Sequence, residues 1–420
     1  MQTTIPHEST LDDAISLINE GYPYIKNRLE KYNTAIFETR LMGEKAACLH
    51  GADAAKLFYD NNYFWRKGAI PKRVQKTLMG TNGIQMQVDG EHQRRKALFM
   101  SFMSPDRVKH LTDLTLRYWR AYARKWEKME RVVLLDEASE VFCLAACKWA
   151  GVPLAPTEVR QRAQEYMAMI YGFGGVTTRY WRGIKARSKS EQWNQQVIQG
   201  IRSGKLEVPE ASAAFRIAWF RDQNDELLDT ETAAVELMNV VRPIVAIATY
   251  VAFSALALHE HPEQLLKLTT HGGTYAQNFV QEVRRLYPFT PFLGARPRKD
   301  FDWKGYCFKE GMLVLLDVYG LLHDPELWPQ PYEFKPDRFE GWSGSPFDFI
   351  PQGGGDFETN HRCAGEWITI EAMKGALNFL TQELQYIVPP QDLRVDKSKM
   401  PTKPKSGFII TEVRYVGLVV

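Results

Sequence analysis

Apolar residues recur at three- and four-residue steps over most of the chain, the period of helices packed on one face. Residues 11–32 predict helix, and residues 105–150 predict two long ones. From Leu227 to His259 the apolar positions nearly fuse into one long helix. Residues 275–287 read as a charged-then-apolar helix, and helix returns after Cys363, from Glu366 to Glu383. Alternation of period two is confined to residues 37–50, a small strand pair about a glycine turn, and to the tail running to Val420, read as a β-hairpin. Between Pro288 and Phe349 dense prolines and glycines predict loops and short strands. The expected fold class is mainly α with small β-sheets.

A chain of 420 residues exceeds what one core usually organises, so two subdomains or one large helical fold are both open. The net charge of +3 argues against a nucleic-acid binder, which needs a concentrated basic face. The opening residues MQTTIPHEST have neither the basic nor the apolar part of a signal peptide. The apolar run Pro243–Leu258 is short of the roughly 20 residues of a membrane span and is interrupted by Thr249, Tyr250 and Ser254. A cytoplasmic protein with no membrane span is expected. The cysteines Cys48, Cys143, Cys147, Cys307 and Cys363 are odd in number and scattered, which implies no disulfide framework. Residues 179–190, RYWRGIKARSKS, read as a solvated basic loop, or as a positive surface at a channel mouth that draws anions.

Cys363 has the richest surroundings. Gly353, Gly354 and Gly355 precede it, and Ala364, Gly365 and an amphipathic helix follow. A thiolate at a helix N-terminus gains from unpaired N–H groups and the helix dipole. The glycines allow the backbone close to a flat macrocycle, and His361 and Arg362 can donate to its propionates. Upstream, Glu282 and Arg285 share a helix face, and the proline-paced segment from Pro331 to Phe339 can dock Arg338 on that pair.

These three pieces, in this order, resemble the cytochrome P-450 superfamily over nearly the whole chain. The resemblance implies the haem-thiolate fold, with Cys363 as metal ligand to haem b (iron protoporphyrin IX) and Glu282, Arg285 and Arg338 as a structural triad. It also points to the helix Glu91–Lys96 as facing the propionates, with His92, Lys96 and Arg66 as further cofactor-binding candidates. The segment Phe349–Cys363 is longer than the usual ligand loop, by a few residues around Asp356–Thr359.

Oxygen-activating members carry an acid–threonine pair on the distal helix. Here that helix reads Leu237-Met238-Asn239-Val240-Val241-Arg242-Pro243-Ile244. A buried guanidinium needs an anionic or multiply hydrogen-bonding partner: a protein carboxylate such as Glu236, or the carboxylate of a ligand. Pro243 removes a helix hydrogen bond and is expected to kink the helix and open space over the haem. Arg242-Pro243, the long cysteine loop and Gln85 resemble one branch, the bacterial fatty-acid peroxygenases. The resemblance implies that hydrogen peroxide drives the reaction on a long-chain fatty acid, with no reductase partner. The substrate carboxylate on Arg242 would act as general acid and base for O–O cleavage, and oxidation would fall at the β and/or α carbon. Channel residues by the same resemblance are Leu78, Met79, Ile170, Phe173, Phe289 and Phe292. Met79 replaces an aromatic residue associated with that position. In this branch glutamine at position 85 accompanies hydroxylation, and histidine there accompanies decarboxylation to terminal alkenes. The competing readings are that decarboxylase, a redox-partner-dependent monooxygenase on a non-acid substrate, and a non-catalytic haem sensor.

Overall fold

The computed structural model describes residues 5–8, 11–175 and 177–417. Its centre is the helix Thr230–Glu260. Asp229 caps it, its carboxylate accepting from the Thr232 N–H at 2.8 Å. Apolar on all sides, the helix can only be a core element, and from Thr232 to Ala257 every residue is buried except Pro243. By length and composition it could cross a membrane, but 94% of its apolar window is buried inside the fold. Pro243 does not break it: one helix runs straight through. The kink expected there does not interrupt the helical run.

Around it pack Leu134–Ala150, Val159–Gly172, Thr178–Arg202, Gln264–Leu286 and Glu366–Asn378. Residues 105–150 form the two helices expected, Pro105–Trp126 and Leu134–Ala150. Residues 11–32 divide into Ala14–Glu20 and Tyr24–Tyr32. Gly21 separates them at φ 66°, where a Cβ would lie 2.1 Å from the Lys397 carbonyl oxygen. The helix expected at 275–287 starts earlier, at Gln264, with one non-helical residue at Gly272. Residues 179–190 are not a loop. They lie inside the helix Thr178–Arg202, which crosses Val159–Gly172 so closely that a Cβ on Gly172 would come within 3.0 Å of the Gly183 Cα.

The strand pair at 37–50 is present as Ile36–Leu41 and Glu44–Leu49. It extends into a five-stranded sheet through Leu313–Asp317, Phe292–Pro297 and Phe64–Trp65. Near the C-terminus Leu384–Ile387 and Ile409–Tyr415 pair antiparallel, but residues 388–408 intervene and Val132–Val133 adds a third strand, so this is no simple hairpin. Val420 itself lies outside the described residues.

The Glu282–Arg285 pair is fully buried and bidentate, at 2.7 and 2.8 Å. Arg338 Nε donates to Glu282 at 3.2 Å, so the expected docking occurs. Arg285 also donates to the carbonyls of Leu322 and Pro331 at 2.8 Å each, tying its helix to the segment between those two residues. Removing one partner of such a cluster strands the others' charge. Glu282→Gln is expected to lower unfolding free energy by about 3–5 kcal/mol, read from denaturant midpoints of the holoprotein.

Candidate active site

Cys363 closes a loop and immediately precedes the helix Glu366–Asn378. Its N–H donates to the Gln352 carbonyl at 3.0 Å. Gly353 and Gly355 hold φ of 93° and 79°, and a Cβ on Gly353 would meet the His361 carbonyl at 3.2 Å. The extra residues at Asp356–Thr359 form a self-capped turn: the Asp356 carboxylate accepts from the N–H groups of Glu358 and Thr359 at 3.0 and 2.8 Å. Burial pushes the Cys363 thiol up, and the Gly365 N–H opposes that shift by bonding the sulfur. The Gln352 amide also lies 3.8 Å from Sγ.

Gln352 was not singled out from the sequence, nor was Arg284. Arg284 is buried, donates to Gln352 Oε1 at 3.1 Å and pairs with Glu366 at 2.5 Å. Its signal lay in plain view between Glu282 and Arg285, on another face of the same helix. Arg362, expected at the propionates, pairs through Nε with Glu366 at 2.6 Å, four residues on at the helix start.

The other expected cofactor residues converge. His92 and His361 stack with ring centroids 3.8 Å apart. Arg66 lies over the Phe58 ring at 4.1 Å and donates only to the Phe58 carbonyl. Burial holds Arg66 down to about 10 and Lys96 to about 8. His92 is held to about 4 by burial and then by the charges of Lys96 and Arg66. No carboxylate pairs with Arg66 among the described residues. A buried cationic cluster beside a sulfur ringed by N–H donors fits an anionic, iron-bearing macrocycle: Cys363 would ligate the metal, and Arg66, His92, Lys96 and His361 would take the propionates.

On the distal helix Arg242 is 4% exposed, and Nη1 donates to the Leu78 carbonyl. The protein-carboxylate alternative fails. Glu236 is taken by Arg95 at 2.8 Å and by the Asn239 amide at 3.0 Å. Among the described residues Arg242 has no carboxylate within 4.0 Å. Burial, followed by the nearby Arg187 charge, pushes it down to about 9. A guanidinium keeps its charge, so Arg242 remains a buried cation.

Leu78 and Met79 sit on the short π-turn Gln75–Met79 beside Arg242. Gln85 follows on the 3-10 turn Ile84–Met86 and accepts from the Asn239 amide at 3.4 Å, one turn before Arg242. Phe289 stacks on Tyr250 of the distal helix at 5.0 Å. Ile170 is buried in Val159–Gly172 and Phe173 follows that helix. Phe292 packs against Tyr22, Tyr319 and Met400, in a small cluster apart from the main core.

A thiol seated for a metal beside a cationic cluster, with a long central helix carrying a cation that has no carboxylate partner among the described residues, fits a haem-thiolate enzyme. The cytochrome P450 family model matches residues 274–415, which include the triad and the cysteine loop. Cytochrome P450EX alpha, solved with myristic acid, is 43% identical and covers 98% of this chain and 100% of its own, with a TM-score of 0.95. A variant of cytochrome P450 OleT in complex with arachidonic acid is 37% identical over 100% of both chains, TM-score 0.96. Cytochrome P450SP alpha in complex with (R)-ibuprophen is 42% identical over 97% and 100%, TM-score 0.94. More distant is the beta-amyrin 28-monooxygenase of Vitis vinifera, 23% identical over 423 residues, covering 91% of this chain and 86% of its own. The chain belongs to the cytochrome P450 family, in its fatty-acid peroxygenase branch.

Arg66→Ala is expected to speed haem loss about tenfold or more, the loss of a charge-assisted hydrogen bond to a propionate. Haem transfer to excess apomyoglobin measures it; an unchanged transfer rate would remove Arg66 from the cofactor site.

Proposed function

We propose that the protein hydroxylates long-chain fatty acids at the β and/or α carbon with hydrogen peroxide as oxidant. The observation that carries this reading is Arg242, a buried guanidinium on the distal helix whose one acceptor among the described residues is a neutral carbonyl. With Nη1 occupied by Leu78, the Nε–Nη2 edge remains for a planar carboxylate, which it matches bidentately. Fatty acids accompany two of the similar solved structures. Residues 1–420 act as one domain, cytoplasmic, with haem b and without a reductase, nucleic acid or membrane span.

Pairing with Arg242 does two things for the bound carboxylate. It keeps the group ionised, so a carboxylate oxygen can take a proton from peroxide and return it to the leaving oxygen. It also fixes the head group, which converts a collision into a held geometry. The head-group anchor sets which carbons lie nearest the oxidant. Leu78, Met79, Ile170, Phe173, Phe289 and Phe292 would exclude water and guide the alkyl chain. In cytochromes P450, whose ligand type this is, the thiolate-ligated haem pushes electron density that favours O–O cleavage.

A redox-partner-dependent monooxygenase is disfavoured by Arg242-Pro243 standing where an acid–threonine pair would relay protons. A passive sensor is disfavoured by the likeness to cytochromes P450 solved with fatty acids. Arg242→Ala and Arg242→Lys are both expected to lower peroxide-driven myristate turnover at least about 100-fold, with haem content and the Soret spectrum retained. Lysine fails because it lacks the fork. Full activity in either variant refutes the mechanism.

Gln85 bears on the outcome of the reaction, since glutamine cannot donate as imidazolium does. Gln85→His is expected to raise the alkene-to-hydroxy-acid ratio several-fold by product mass spectrometry. An unchanged ratio would show that another residue decides.

A further inference from the structure

The basic stretch 179–190 holds a residue that the proposed mechanism does not yet use. Arg187 lies 3% exposed on the inner face of the helix Thr178–Arg202. Its Nη1 donates to the Leu78 carbonyl at 2.6 Å, the same oxygen that accepts from Arg242 Nη1. Two buried guanidiniums therefore converge on one neutral acceptor. Arg187 has one carboxylate, Glu191, to which Nε donates at 2.7 Å and which is 32% exposed. The pair of cations thus has one anion, and the excess charge falls on Arg242. The backbone is fitted around this arrangement. At Gly80, φ 86°, a Cβ would stand 2.8 Å from Arg187 Nη2 and 2.6 Å from a Val235 methyl.

We infer that Arg187 is a positioning residue for the substrate carboxylate: through the shared Leu78 carbonyl and its own charge it holds Arg242 in place and makes that site selective for anionic head groups. The inference rests on the reading of Arg242 as the carboxylate anchor. Two effects act in one direction. The bonds from two helices to Leu78 fix the turn Gln75–Met79, and so fix where Nη1 of Arg242 is spent and which edge is left. The second cation also raises the local potential in a water-poor setting, where charges are felt strongly. Without Arg187, the Glu191 carboxylate would lose its partner and could offset part of the Arg242 charge. Lys185 and Lys189, exposed neighbours on the same helix, do not share this role.

The test compares a charged with an uncharged ligand of equal length. Binding of myristate and of 1-tetradecanol to the holoenzyme is measured by calorimetry for the wild type, Arg187→Gln, Arg187→Lys and Arg242→Ala. Arg187→Gln is expected to weaken myristate binding about tenfold while tetradecanol affinity stays within about twofold. Arg187→Lys, which keeps the charge, is expected to recover part of the loss. Equal weakening of both ligands in Arg187→Gln means that the residue merely supports the fold and overturns the inference, as does unchanged myristate affinity. Arg242→Ala separates the two levels. If it too leaves acid-over-alcohol selectivity intact, the anchor reading itself falls. If it abolishes selectivity and Arg187→Gln does not, only the inference about Arg187 falls.

Discussion

Burying a guanidinium is costly unless an anion meets it, and the molecule is arranged around that constraint. Among the described residues seven arginines are buried: Arg28, Arg66, Arg95, Arg187, Arg242, Arg284 and Arg285. Five have carboxylates within salt-bridge distance, respectively Asp13 for Arg28, Glu236 for Arg95, Glu191 for Arg187, Glu366 for Arg284 and Glu282 for Arg285. Arg66 and Arg242 have none among the described residues. Arg66 stands with the histidine stack near the cysteine loop, and Arg242 stands on the distal helix. Two such arginines in two places, the first with the buried Lys96 beside it, suit two anionic ligands: a dianionic cofactor on one side and, on the proposed reading, an acid substrate on the other.

The paired arginines serve the unpaired ones. Arg95 draws Glu236 away from Arg242, so the distal cation stays free for a ligand although a carboxylate lies six residues before it on the same helix. Arg284 performs a similar service beneath the cysteine. It holds Gln352 by its carbonyl oxygen, which turns the amide nitrogen toward Sγ and Thr369. Through Glu366 it also anchors the first turn of the helix that follows Cys363. Since Arg284 is sequence neighbour to Arg285, the helix end that carries the triad also organises the sulfur's surroundings.

Legibility from sequence followed interaction range. The long helices, the strand pair at 37–50 and the cysteine loop rest on local periodicity and turn chemistry, and they were readable. Arg242 was readable because an isolated charge in an apolar helix is conspicuous without knowing its neighbours. Arg187 was not, because RYWRGIKARSKS is polar enough to pass for a surface loop; only the close crossing at Gly172 and Gly183 turns one of its cations inward. The Arg362–Glu366 pair, only four residues apart, was not read from the sequence, because which neighbour a flexible guanidinium takes is decided by geometry. The break at Gly21 depended on a contact with Lys397, far along the chain.

Pro243 shows why position and chemistry have to be read together. A proline inside a helix removes one N–H and usually implies bending, but here the helix continues without interruption. What the proline changes is the donor inventory: it has no N–H, so the Asn239 carbonyl, one turn back, loses the donor that a helix would otherwise give it. The Asn239 side-chain amide meanwhile bonds Glu236 at 3.0 Å and Gln85 at 3.4 Å. The turn that ends in Arg242 is thus tied by side chains as well as by backbone, which steadies the base of the proposed anchor where the helix ladder is one bond short.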